Sequence, residues 1–130
     1  MFSWRFFIAW IIENIFCSDE ITDFYNPNVV RASIGHMFTL NLLSDSTENI
    51  IKLLKKHNYQ IILMDPDSEK LINNFQPENN FALVIGSEQY GISKKWHETE
   101  CTKLKIDSLN DVDSINASTA AAISMWELLK

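Results

Sequence analysis

Three short segments in the last third of the chain hold the residues whose types and spacing suit chemistry. Phe81-Ala82-Leu83-Val84-Ile85 is an apolar run that breaks off into Gly86-Ser87-Glu88. Leu104-Lys105-Ile106-Asp107 is a second short strand-like run, and a polar loop leads from it to Asp113-Ser114-Ile115-Asn116-Ala117-Ser118. Gly, Ser, Glu and Asn gathered where β-strands run out are the makings of a polar ligand site. Gly86 lacks a Cβ, so it either turns the chain or lets a ligand approach the backbone. Glu88 is a candidate acceptor for a ligand's polar edge, although a glutamate after a strand is commonly just solvated. Ser114, Asn116 and Ser118 lie at the start of an alanine-rich helix, where free N–H groups and a partial positive charge suit a carboxylate or a developing anion. A single N-cap, Ser114, would satisfy the helix, and three polar side chains exceed that need. Arg31, on a helix beside small residues, is suited to clamping a phosphate or forming a surface ion pair.

The elements that must position these groups alternate between strand and helix. Asn14–Cys17 reads as a short buried strand. Pro27 follows Asn26 as a first helical residue, predicting a helix from Asn26 to about Met37. Phe38–Leu43 alternates like a strand, and Ser46 or Thr47 caps an amphipathic helix through Ile50, Ile51, Leu53 and Leu54 that ends near His57-Asn58. Ile61–Met64 is a strand, and the proline- and asparagine-rich stretch 65–80 a loop or short helical turn. Phe81–Ile85 is a strand, Ser93–Glu100 a short exposed helix, Lys103–Ile106 a strand and Ser114–Leu129 a helix. This order predicts an α/β fold with a mostly parallel sheet and helices on both faces, binding its ligand at the carboxyl ends of the strands.

Composition bounds the rest. A chain of 130 residues, 46% apolar and 22% charged, suits one soluble domain. The net charge of −6 argues against a broad basic face for duplex nucleic acid but not against an RNA enzyme that grips few phosphates. Cys17 and Cys101 lie far apart and read as reduced core thiols of a cytoplasmic protein. The histidines, His36, His57 and His97, are scattered, so no metal is expected. Arg5 followed by Phe6–Ile12 imitates a signal peptide, but the run is short, Glu13 and Asn14 follow at once, and a membrane span needs about 20 apolar residues. None of the three glycines precedes Gly35, and the chain opens in an apolar run with no cap, as if in the middle of a fold.

In order, Asn26-Pro27-Asn28-Val29-Val30-Arg31-Ala32-Ser33, Ala82-Leu83-Val84-Ile85-Gly86-Ser87-Glu88-Gln89-Tyr90-Gly91-Ile92-Ser93, and Ile106 through Ser114-Ile115-Asn116-Ala117-Ser118 resemble the SpoU (TrmH) branch of the SPOUT RNA methyltransferases. That family's pattern reads N-P-K-V-V-R-A-S, then A-L-V-x-G-N-E-x-x-G-L-S, then I-P-M and S-L-N-V-S. The resemblance implies a C-terminal trefoil knot, a rare exception among protein folds. It also implies bent S-adenosylmethionine as cofactor, a homodimer, and methyl transfer to a ribose 2′-hydroxyl of rRNA or tRNA. By position, it implies that Gly86, Ile106 and Ile115 contact the cofactor through backbone and that Leu40 lines its adenine pocket. Glu88, Ser114 and Asn116 would organise the methionine end and the ribose. Arg5, eight residues before Glu13 as in the family's N-x-G-x-x-x-R segment, would be the catalytic arginine. Arg31 would bind RNA, and the aromatic N-terminal run with Trp4, Phe7 and Trp10 would contribute to the dimer.

The chain also departs from that pattern. The motif asparagine would precede Met1, Met1 and Ile11 stand where glycines are usual, Asp107 replaces the proline, and Ser87 the asparagine. These departures are expected of a single methyltransferase domain, 1–130, lacking its first strand and the start of its first motif. The expected activity is then impaired. The rival readings are a remnant that binds cofactor or RNA, or only dimerises, without turnover, and an unrelated α/β ligand-binding module.

Overall fold

The computed structural model describes residues 14–18, 27, 41–87, 89–107 and 115–130. The chain divides into two compact units, Met1–Ile50 and Ile51–Lys130.

In the first unit, β1 (Asn14–Ser18) pairs in parallel with β2 (Asn41–Asp45), Asn14 opposite Asn41 and Ser18 opposite Asp45. Asn41 Nδ2 donates to Asn14 Oδ1 at 3.1 Å and fastens the first rung. Parallel neighbours need a long crossover; here it runs through residues 19–40, of which Pro27 is described and helical, as expected. The rest of the helix expected from Asn26 to Met37, and residues 38–40 of the next expected strand, lie outside the described residues. The strand predicted at Asn14 is present but half-buried rather than buried, and β2 exposes Leu43.

Helix α1 (Thr47–Lys56) starts and stops on local signals. Ser46 Oγ accepts from Asn49 N at 3.2 Å, and Asp45 Oδ1 accepts from Ser46 N and Asn49 Nδ2, so Ser46 rather than Thr47 is the cap. Ile50 and Leu54, four apart, are buried, while Lys52, Lys55 and Lys56 are exposed. The helix ends in a Schellman motif. Tyr59 N donates to Leu54 O at 2.9 Å and Asn58 N to Lys55 O at 3.1 Å, with Asn58 left-handed at φ 57°.

The second unit holds a three-stranded parallel sheet in the order β4-β3-β5. β3 (Gln60–Met64) is central, between β4 (Phe81–Val84) and β5 (Thr102–Leu104). Its run Ile61-Ile62-Leu63-Met64 is buried at every position, which explains an unbroken apolar run in place of alternation. On one face Ile62, Met64 and Leu104 form a core with Ile72 and Leu128, against which Phe75, Phe81, Leu83, Ile85 and Ile106 pack. Loop 65–75 closes the outer edge of β5. Lys105 N donates to Lys70 O, Ile72 N donates to Lys105 O, and Ser68 Oγ donates to Lys103 O at 2.8 Å. A 3-10 turn, Ile72–Asn74, follows. The edge thus has few unpaired groups left to recruit another strand.

Helix α2 (Lys94–Glu98) is shorter than expected and not wholly exposed, since it buries Trp96. Helix α3 (Ala117–Leu129) begins three residues later than Ser114. Ala117, Ala121, Ser124, Met125 and Leu128 form its buried stripe, and the fully buried Ser124 hydroxyl donates to Ala120 O at 2.6 Å. No helix among the described residues is long and apolar enough to cross a membrane.

The left-handed cap yields a test. Asn58→Gly should leave stability unchanged or raise it slightly, whereas Asn58→Val should lower it by about 1–2 kcal/mol, because a β-branched side chain is strained at positive φ. Urea unfolding followed by circular dichroism, with an unchanged denaturant slope, measures both.

Candidate active site

The strand order sets the geometry. β4, β3 and β5 run parallel, so their carboxyl ends lie along one edge of the sheet. β4 ends at Val84 and continues through Ile85 into Gly86; β5 ends at Leu104 and continues through Lys105 into Ile106. With β3 between them, the two outer strands lie roughly 10 Å apart. Gly86 and Ile106, two residues singled out from sequence, therefore flank the end of β3. Ile85 and Ile106 pack on the same hydrophobic cluster, so the edge has an apolar base.

Gly86 is required by the chain itself. A Cβ built there would stand 2.4 Å from Gly91 C and 2.6 Å from Ile92 N. The space is filled by the backbone of the following turn, so the turn explanation for this glycine holds and close approach by a ligand is not its structural cause. Ser87 and Gly91 close that turn: Ser87 N donates to Gly91 O at 3.1 Å and Gly91 N to Ser87 O at 2.9 Å. Tyr90 N donates to Ser87 Oγ at 3.0 Å. Gly91, at φ 67°, occupies left-handed backbone that favours glycine. The segment is thus a tight, internally bonded turn.

Asn116, not Ser114, caps α3. Its Oδ1 accepts from Ser118 N at 2.9 Å and from Ser118 Oγ at 2.6 Å. The surplus of polar side chains noted in the sequence is partly explained: Asn116 and Ser118 bond to each other and to the helix start. Ile115, half-buried, precedes the cap. Arg5, Arg31, Leu40, Glu88 and Ser114 lie outside the described residues.

Sequence reasoning missed Asp65, which ends β3 between the two flanking segments. Its backbone N donates to Leu104 O at 2.8 Å, its Oδ1 accepts from Asp67 N at 3.0 Å, and its Oδ2 lies 3.8 Å from His97 Nδ1 on α2. Its side chain is only 14% exposed. The available signal was an acidic residue directly after the most apolar run of the chain. Nearby, burial pushes the Cys101 thiol up, Lys103 opposes this and Asp65 adds to it, which keeps the cysteine a thiol rather than a nucleophilic thiolate. Neither cysteine is in a disulfide, and both are half-buried rather than core. Among the described residues no cluster of His, Cys, Asp and Glu is arranged to hold a metal ion.

The model of the SpoU rRNA methylase family matches residues 5–126. This chain belongs to that family. A 23S rRNA (adenosine(1067)-2′-O)-methyltransferase of Streptomyces azureus is 24% identical over 114 residues, 87% of this chain and 42% of that protein. The 23S rRNA (guanosine-2′-O-)-methyltransferase RlmB of Blochmanniella floridana is 36% identical over 81 residues, 62% of this chain and 32% of that protein. Among solved structures, an RNA 2′-O ribose methyltransferase superposes with a TM-score of 0.86 at 28% identity, covering 98% of this chain and 49% of that one. The SpoU methyltransferase AviRb of Streptomyces viridochromogenes, solved with AdoMet, gives a TM-score of 0.86 at 21% identity over 96% of this chain and 52% of its own. The chain therefore spans about half or less of the length of these relatives, and within that span it shares their mixed α/β fold with parallel strands.

The Gly86 contact predicts a stability defect. Gly86→Ala should cost about 1–3 kcal/mol, since backbone rather than a flexible side chain must move, and should lower the melting temperature by about 3–9 °C. A melt indistinguishable from that of the native chain would mean that the turn yields without strain.

Proposed function

We propose that this chain is the S-adenosylmethionine-dependent catalytic domain of an RNA methyltransferase that methylates a ribose 2′-hydroxyl in rRNA or tRNA. The observation that carries the reading is the placement of Gly86 and Ile106 at the carboxyl ends of the two strands that flank β3 in a parallel sheet, in a chain that belongs to the SpoU family. The names of the relatives support the reaction and the RNA substrates. The AdoMet complex of AviRb supports the cofactor. The reading includes a C-terminal trefoil knot and a homodimer, both implied by the family resemblance. It also includes helices on both faces of the sheet, expected from the alternation of strands and helices, and a cytoplasmic location, expected from the reduced cysteines.

The residues present fit the cofactor. A half-buried apolar edge at Ile85 and Ile106 suits an adenine ring, and Gly86 presents backbone beside Ile85. When bound, S-adenosylmethionine supplies an electrophilic methyl group on a sulfonium sulfur. Gly86, Ile106 and Ile115 hold the cofactor through backbone, with Leu40 at the adenine. Glu88, Ser114 and Asn116 orient the methionine end and the target ribose. Arg5 would hold the adjacent phosphate and stabilise the negative charge that develops on the 2′-oxygen as its proton passes to solvent. Arg31 engages RNA phosphate further along. Positioning the weak 2′-hydroxyl nucleophile would supply most of the acceleration.

Titration calorimetry with S-adenosylmethionine should give one site per chain. Arg5→Ala should leave that affinity unchanged and lower tritium transfer from labelled cofactor to bulk rRNA and tRNA by about 10²-fold or more. No heat with the cofactor removes the reading. Cofactor binding without transfer by the native chain would favour a domain that binds but does not turn over.

A further inference from the structure

Tyr90 is the most exposed of the large hydrophobic residues described, with 75% of its surface open. Its backbone is nonetheless firmly placed. Tyr90 N is bonded to Ser87 Oγ, the flanking Ser87 and Gly91 exchange two backbone hydrogen bonds, and the backbone of Gly91 and Ile92 lies in the space beside Gly86. A tight turn thus holds an aromatic side chain out in solvent, four residues after a glycine at the carboxyl edge of the sheet. Keeping a large ring in water forgoes the apolar burial that a tyrosine usually gains. Neither the cap of α3 nor the stability of the turn uses the ring, since every bond that closes the turn is made by backbone or by Ser87.

We propose that Tyr90 is a stacking platform for an unpaired nucleobase of the RNA substrate, at or next to the nucleotide whose ribose is methylated. This rests on the reading of the chain as an RNA methyltransferase. A ribose hydroxyl brought to the carboxyl edge brings its own base and its neighbours' bases with it. Those bases offer flat π-faces that any exposed aromatic ring can cover, and RNA is recognised chiefly through unstacked bases of loops and bulges. With its backbone placed by the turn, the tyrosine has only two side-chain torsions to order on binding, which favours stacking. A platform of this kind also suits a chain of net charge −6, because stacking adds affinity without requiring many phosphate contacts.

The test uses a short unstructured oligoribonucleotide carrying one 2-aminopurine, whose fluorescence is quenched by stacking. Titration with the native chain should quench it. Tyr90→Ala should abolish the quench and weaken binding by roughly 5- to 150-fold, the range for loss of one base–aromatic stack. Tyr90→Phe and Tyr90→Trp should restore both, and S-adenosylmethionine affinity and melting temperature should not change in any of the three. A fully duplexed form of the oligonucleotide should bind independently of residue 90. RNA affinity unchanged in Tyr90→Ala, or a Tyr90→Phe variant as weak as Tyr90→Ala, overturns the proposal. A native chain that binds cofactor but gives no quench overturns it while leaving the cofactor reading intact. A native chain that quenches the probe but binds no cofactor overturns the methyltransferase reading, and with it the placement beside a methylated ribose, and leaves only the stacking of an RNA base on Tyr90.

Discussion

The space beside Gly86 is filled by the backbone of Gly91 and Ile92, and the candidate site depends on that contact. It folds the chain back on itself directly after β4. It needs a residue with no Cβ at one end and a left-handed residue at the other, and two of the chain's three glycines meet those needs. Ser87 then closes the turn with both its backbone groups and its hydroxyl. A short, internally bonded turn needs no further packing to hold its shape, which leaves Tyr90 free to face solvent.

The sheet supplies the other half of the geometry. β3 is buried on both faces and pairs on both edges, so the ends of β4 and β5 are held at a set distance from each other. The loop after β3 crosses to the far side of β5 and occupies its outer edge through Ser68, Lys70 and Ile72. Asp65 begins that loop and is tied to Leu104, to Asp67 and, at longer range, to His97. One residue therefore links the end of the central strand to the neighbouring strand and to α2. At 3.8 Å the contact with the half-buried His97 is too long for a hydrogen bond, whereas the backbone bond to Leu104 is short and independent of charge.

Asn116 shows how a family motif position and a local structural role coincide. Its carbonyl oxygen is committed to the first turn of α3, which is what an asparagine at a helix start does in any fold.

Much of this was legible in the residues. The apolar run Ile61–Met64 marked a strand, which the structure buries on both sides. Ser46 and the i, i+4 pair Ile50 and Leu54 marked α1, and Gly86-Ser87 marked the end of β4. These features are local: turn chemistry, helix caps and hydrophobic period act between near neighbours, so the sequence by itself determined them. It also determined the family, since the motifs occur in order along most of the chain. What only the tertiary structure decided depends on residues far apart in sequence. Trp96 is buried although its helix is short and otherwise polar. Asp65 becomes part of the site edge because β5, forty residues later, pairs beside it. Gly86 is needed because Gly91 and Ile92 return to it, and Asn116 displaces Ser114 as the cap because α3 begins at Ala117. Pairing and burial of this kind are set by which distant surfaces meet, and no window of neighbouring residues contains that information.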